Sequence, residues 1–87
     1  LDLRNLPDIK RIISGNRDVK ALLLNNNTKL TLINLANTHL KELDLSDCLS
    51  LDTLYISGMH LQSLNVSANE KLKYLDCSGS PSLLSLN

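Results

Sequence analysis

The sequence predicts a mostly-β solenoid of about four 21-residue coils, built from short parallel strands with little or no α-helix. Three observations carry that expectation. Leucine supplies 22 of the 87 residues, whereas phenylalanine and tryptophan are absent and tyrosine occurs twice. An ordinary core mixes shapes to fill space; a core of leucine alone implies one slot filled repeatedly. The apolar residues recur in a fixed unit, and no segment follows the 3.6-residue period of an amphipathic helix. Units this short cannot bury their apolar side alone, so they must stack.

The unit is LxxLxLxxN, with other aliphatics at the leucine places and small or polar residues at the last. It fits VKALLLNNN from Val19, LTLINLANT from Leu30, LKELDLSDC from Leu40, LDTLYISGM from Leu51, LQSLNVSAN from Leu61 and LKYLDCSGS from Leu72. A seventh copy begins at Leu83 and is cut off at Asn87. Successive starts are spaced by eleven and ten in alternation, the last interval being eleven again, so two half-turns make one coil. Within each unit the xLxLx segment alternates, and its leucines point to one side. Stacking sets each leucine on its equivalents above and below, and at about 4.8 Å per strand four coils give a core roughly 20 Å tall.

The chain reads as a single domain, 1–87, with an irregular N-terminal coil over 1–18 and regular repeats over 19–87, the last one truncated. IKRIISGNR from Ile9 fits at its first two apolar places but has Ser14 at the third. Ser14-Gly15 also resembles Ser57-Gly58 and Ser78-Gly79, an alignment one residue out of step with two coils, so a bulge is expected there. Leu1 and Leu3 look like the tail of an earlier unit, with Pro7 interrupting. The last places hold Asn27, Thr38, Cys48, Met59, Asn69 and Ser80. Where the residue is asparagine, its side chain is expected to satisfy backbone groups in a buried turn. Gly58 and Gly79 share a turn position and point to positive φ.

The quoted units resemble leucine-rich repeat proteins. The nested 10-plus-11 form is similar to one bacterial subfamily, the IRREKO type, frequent in surface and secreted proteins. LKYLDCSGS at Leu72 matches its LxxLxCSxN half apart from the final residue, and LQSLNVSAN at Leu61 and LKELDLSDC at Leu40 are close to its LxxLDVSxN half. The resemblance covers Val19 to Asn87 clearly and Leu1 to Asp18 loosely. It implies a right-handed solenoid or shallow horseshoe with a protein- or ligand-binding face, no catalytic residues and no cofactor. It also implies an extracytoplasmic location, the chain itself beginning without a leader, as expected of a trimmed or processed piece.

Composition excludes several classes. Nine basic and nine acidic residues cancel. Without a basic excess or an aromatic platform, no nucleic-acid partner is expected. The charge is uneven, with six basic and three acidic side chains in 1–29 against three and six in 30–87. No stretch approaches the roughly 18 apolar residues of a membrane span, so no insertion is expected. Signatures of catalytic or metal chemistry, such as CxxC, HExxH or GxxxxGK, are absent, and the chain is expected not to be an enzyme. Cys48 and Cys77 sit at different sides and levels and read as two buried structural thiols. His39 and His60 stand at equivalent places of successive coils and would stack at about 5 Å, but a third metal ligand is wanting, so both read as solvent-facing turn residues. Glu42, Asp44, Asp47 and Asp52 lack the spacing of a calcium loop and read as a solvated face. Ser46, Ser57, Ser67 and Ser78 read as small packing residues at strand ends.

One surface stands out. Outward columns of the 10-residue half are Leu32–Thr53–Tyr74 and Asn34–Tyr55–Asp76, which brings both tyrosines to one sheet face. Exposed aromatics on a rigid face anchor partners. The expected function is a non-enzymatic interaction module binding a protein or peptide on Leu32, Asn34, Thr53, Tyr55, Tyr74 and Asp76. The alternatives are a structural spacer or self-associating rod, motivated by oppositely charged ends, and a carbohydrate-binding accessory.

Overall fold

The computed structural model describes residues 2–6, 8–15, 19–59, 61, 63–79 and the backbone of 85–86. Leu1, Pro7, Asp18, His60, Ser80, Leu83 and Asn87 lie outside the described residues. Every regular element is a strand, and the described residues contain no helix. The strands are β1 (Arg11–Ile13), β2 (Leu32–Asn34), β3 (Thr53–Tyr55), β4 (Ser63–Leu64), β5 (Tyr74–Asp76) and β6 (Ser85–Leu86).

β1, β2, β3 and β5 form a four-stranded parallel sheet in that order. Each pairing is offset by the same full repeat: Ile12 opposes Ile33, Ile33 opposes Leu54, and Leu54 opposes Leu75. The hydrogen bonds run past the strand ends, as where the Leu35 N–H donates to the Tyr55 carbonyl at 2.9 Å and the Asn37 N–H to Ser57 at 3.0 Å. β4 pairs with β6 in parallel, Ser63 against Ser85, an offset one place longer than in the larger sheet. Asp2 bridges Leu23 in parallel.

The alternation of each strand puts its middle residue in the core. Ile33 and Leu54 are wholly buried, as are Leu35, Leu30 and Leu51 from the flanking apolar places. Leu22, Leu24, Leu45 and Leu64 face them from the other half-units, and all belong to one core cluster. At the far edge of the sheet Leu75 remains 38% exposed, because β5 has a sheet neighbour on one side among the described residues.

The two half-units differ more than their sequences do. The leucine pattern predicts a strand in each, yet the units beginning at Val19 and Leu40 carry only the single bridge at Leu23. Between the unit beginning at Leu40 and the one beginning at Leu61 lies a cleft of about 80 Å³, lined by Leu43, Asp44, Leu45, Ser46, Asn65, Ser67 and Ala68.

The bulge expected at Ser14-Gly15 is absent. β1 keeps the full-repeat offset, the Ser14 N–H donates to the Asn34 carbonyl at 2.9 Å, and a Cβ on Gly15 would lie 3.7 Å from the Ala36 carbonyl oxygen, on the next strand's continuation. Ser14 therefore occupies the third apolar place, level with Leu35. Ladder hydrogen bonds fix the register where the Ser-Gly resemblance pointed one residue away.

The last place of the 11-residue half carries a polar column inside the fold. Asn27 Nδ2 donates to the carbonyls of Leu3 and Leu6, both at 3.0 Å. Asn69 Nδ2 repeats the arrangement further along the chain, donating to Leu45 at 3.0 Å and Cys48 at 2.9 Å. Each amide ties its own turn to the turn before it, as the sequence leads one to expect, and each bond contributes about 1 kcal/mol. The next-to-last place of several units takes a left-handed residue: Gly58 has φ 69° and Gly79 φ 65°, and Asn37 takes the same place at φ 65°, as Asn26 does in the 11-residue half at φ 73°. A Cβ on Gly58 would collide with the Asn37 side-chain oxygen, so glycine here serves close approach as well as backbone freedom.

Turns are also closed by a device that the leucine pattern does not announce. Asp44, Asn65 and Asp76 each accept, through Oδ1, the backbone N–H and the hydroxyl of the serine two places on, at 2.9–3.0 Å and 2.6 Å. Ser46, Ser67 and Ser78 are thus hydrogen-bonding members of Asx turns rather than mere small fillers.

Burial sets the effect of truncation. Leu54→Ala is expected to destabilise the chain by about 3 kcal/mol, and Leu75→Ala by about 1 kcal/mol, because the second leaves a smaller cavity. Urea denaturation of both variants measures the difference; equal losses would contradict the core as described.

Candidate functional site

The six residues singled out from the sequence fall on one face. Leu32, Thr53 and Tyr74 are successive partners across β2, β3 and β5, as are Asn34, Tyr55 and Asp76. They alternate along each strand with Ile33, Leu54 and Leu75, which point to the core side, so the six point outward. Tyr55 is 38% and Tyr74 62% exposed, and the other four are half-buried. The rings sit on neighbouring strands two places out of step, a diagonal of about 8 Å between their backbone positions.

β1 lengthens both columns. Arg11 opposes Leu32 and Ile13 opposes Asn34, so the face has two rows of four: Arg11–Leu32–Thr53–Tyr74 and Ile13–Asn34–Tyr55–Asp76. Ile13 is 72% exposed. The signal that could have found Arg11 and Ile13 is the bare spacing, one full repeat before Leu32 and Asn34; treating 1–18 as irregular hid it.

The electrostatics of the face are simple. Asp76 holds the Ser78 hydroxyl and N–H, and those hydrogen bonds keep its carboxyl below the usual carboxylate range. Its Oδ2 accepts no hydrogen bond among the described residues. Arg11 makes no side-chain hydrogen bond or ion pair among them either, in contrast to Arg4, which is paired with Asp2 at 2.8 Å, and Lys29, paired with Asp8 at 2.7 Å.

Other candidate chemistry disperses. The described residues contain no group of three or more His, Cys, Asp or Glu able to hold a metal ion. His39 is exposed, and its expected neighbour His60 lies outside the described residues. Of the four clustered acids, Asp44 holds Ser46, Asp47 accepts the Asn26 N–H at 3.1 Å and Asp52 accepts the Thr53 hydroxyl at 2.8 Å, while Glu42 is exposed. Both cysteines are free. Cys48 is wholly buried, and burial, with Asp47 and Asp44 nearby, pushes its thiol up to about 11. Cys77 is only half-buried, which corrects the expectation of two interior thiols: it follows β5 at the open edge of the sheet, where Ile56, its equivalent one repeat earlier, is covered.

Among the described residues no helix is long and apolar enough to cross a membrane. Comparison with family models, curated proteins and solved structures finds no match to this chain.

Two measurements check this geometry. A thiol reagent under native conditions is expected to label Cys77 and spare Cys48, whose thiolate is disfavoured and enclosed; equal labelling would refute the placement. Acid stability follows from the carboxylates. Asp44 and Asp76 are held low by their serines and Asp2 is lowered to about 2 by Arg4, against a usual 3.8. On acidification the unfolded chain binds these protons first, so the stabilisation is whole above pH about 4 and is lost as the pH falls towards 2. Thermal melts are expected to be flat from pH 7 to about 4 and then to drop. The drop should shrink in Asp44→Asn with Asp76→Asn, because asparagine makes the same turn at position 65; an unchanged drop would count against the carboxylates as its source.

Proposed function

We propose that this chain is a leucine-rich repeat solenoid of nested 10- and 11-residue units, and that its open sheet face binds a protein or peptide without catalysis. One observation carries the functional reading. All-parallel sheets are normally covered on both sides, yet this one leaves Ile13, Tyr55 and Tyr74 exposed on its outward face. Apolar and aromatic side chains held on a surface that rigid carry little ordering cost on binding.

The solenoid reading is supported by the unbroken full-repeat offset of the four-stranded sheet and by asparagine amides that link successive turns. The four-stranded ladder lies on the 10-residue half while the other half carries shorter pairings and a cleft, so in this reading the four-stranded side is the tighter and makes the concave face. The likeness of the units to bacterial surface and secreted proteins puts the module outside the cytoplasm in this reading.

The test is a peptide-display selection on the immobilised chain. Enriched peptides are expected to lose at least about tenfold in affinity to the double variant Tyr55→Ala with Tyr74→Ala, with an unchanged β-rich circular dichroism spectrum, and to keep it in Lys71→Ala with Lys73→Ala. Equal affinity for both variants rejects the face. Glycan binding lost in Tyr74→Ala without any enriched peptide would transfer the face to carbohydrate, and concentration-dependent self-association lost in the same variant would favour the structural rod.

A further inference from the structure

We infer that the sheet face selects a short extended peptide lying across the strands, with an acidic residue at one end, a basic residue five positions away and apolar residues between. The inference rests on the sheet-face reading above and deepens it.

Size excludes larger occupants first. Four strands at about 4.8 Å and an outward row spacing of about 7 Å give a patch near 20 by 10 Å, roughly 200 Å². A stable complex between folded proteins covers about 800 Å² on each partner. The patch therefore suits a few residues of extended chain better than a second copy of this molecule.

Charge then orders the occupant. The two charged members of the face sit at its opposite corners: Arg11 on one edge strand, in the first row, and Asp76 on the other edge strand, in the second. Three strand spacings and one two-place step separate them by about 16 Å, the span of five steps of extended peptide. Leu32, Asn34, Thr53 and Tyr55 lie between them, and Ile13 and Tyr74 hold the other two corners. Arg11 has no partner of its own among the described residues, and Asp76 commits Oδ1 to Ser78 while Oδ2 accepts nothing there. A ligand carboxylate over Arg11 and a ligand ammonium over Asp76 complete both corners, and the apolar residues between them cover the tyrosines.

The probes are fluorescein-labelled hexapeptide pools, acetylated and amidated, with leucine, valine and tyrosine mixed at the four middle positions. One pool has glutamate first and lysine last; the others have glutamate at both ends, lysine at both ends or serine at both ends. Fluorescence anisotropy at low salt is expected to show the mixed-charge pool binding at least about fivefold tighter than each of the others. Arg11→Glu makes both corners acidic, and its preference is expected to move to the pool with two lysines, with an unchanged circular dichroism spectrum. Equal binding of all pools that is lost in Tyr74→Ala overturns the charge axis and leaves the sheet-face reading standing, as does a preference that Arg11→Glu fails to move. Absence of binding by every pool overturns both, and so does sedimentation as a dimer that Tyr74→Ala dissolves.

Discussion

The structure depends on one contact made over and over, between side chains one full repeat apart. Ile12 lies over Ile33, Ile33 over Leu54, and Leu54 over Leu75. The ladder hydrogen bonds and the apolar stack share that register, so neither can slip without the other. A shift of one residue would turn the leucines outward and the face residues inward. A strand this short has little stability of its own; its neighbours on either side supply it.

The same spacing organises the polar groups. Asn27 and Asn69 lie inside the fold, and each reaches back to an earlier turn to give a second donor to two carbonyls that already accept a backbone N–H. Cys48 stands between them in the column and brings volume without a comparable donor pair. Asp44, Asn65 and Asp76 solve the neighbouring problem locally, holding a serine hydroxyl and N–H together on one oxygen. Aspartate and asparagine are interchangeable in that geometry because only the acceptor oxygen is used.

A scaffold so uniform inside leaves the outward rows free to vary. Arginine, leucine, threonine and tyrosine succeed one another in one row, and isoleucine, asparagine, tyrosine and aspartate in the other. None of them is needed to fill the core, and the sheet holds all of them at fixed spacing. This separation of a repetitive interior from a varied face is what the proposed binding role draws on.

The sequence by itself determined the period, the buried leucine places, the asparagine bridges, the left-handed turn at Gly58 and Gly79, and the two outward columns from Leu32 to Asp76. All of these follow from side-chain identity recurring at fixed intervals, which a linear reading can count. Tertiary structure decided the rest. Whether a half-unit forms a ladder depends on how closely neighbouring backbones approach, and leucine spacing is the same in both halves. Ile13 and Arg11 joined the face because pairing with Asn34 and Leu32 set the register where the local Ser-Gly likeness misled. Cys77 shares its unit position with Ile56 but not its burial, because exposure depends on what lies on the next strand over, and no residue encodes that alone.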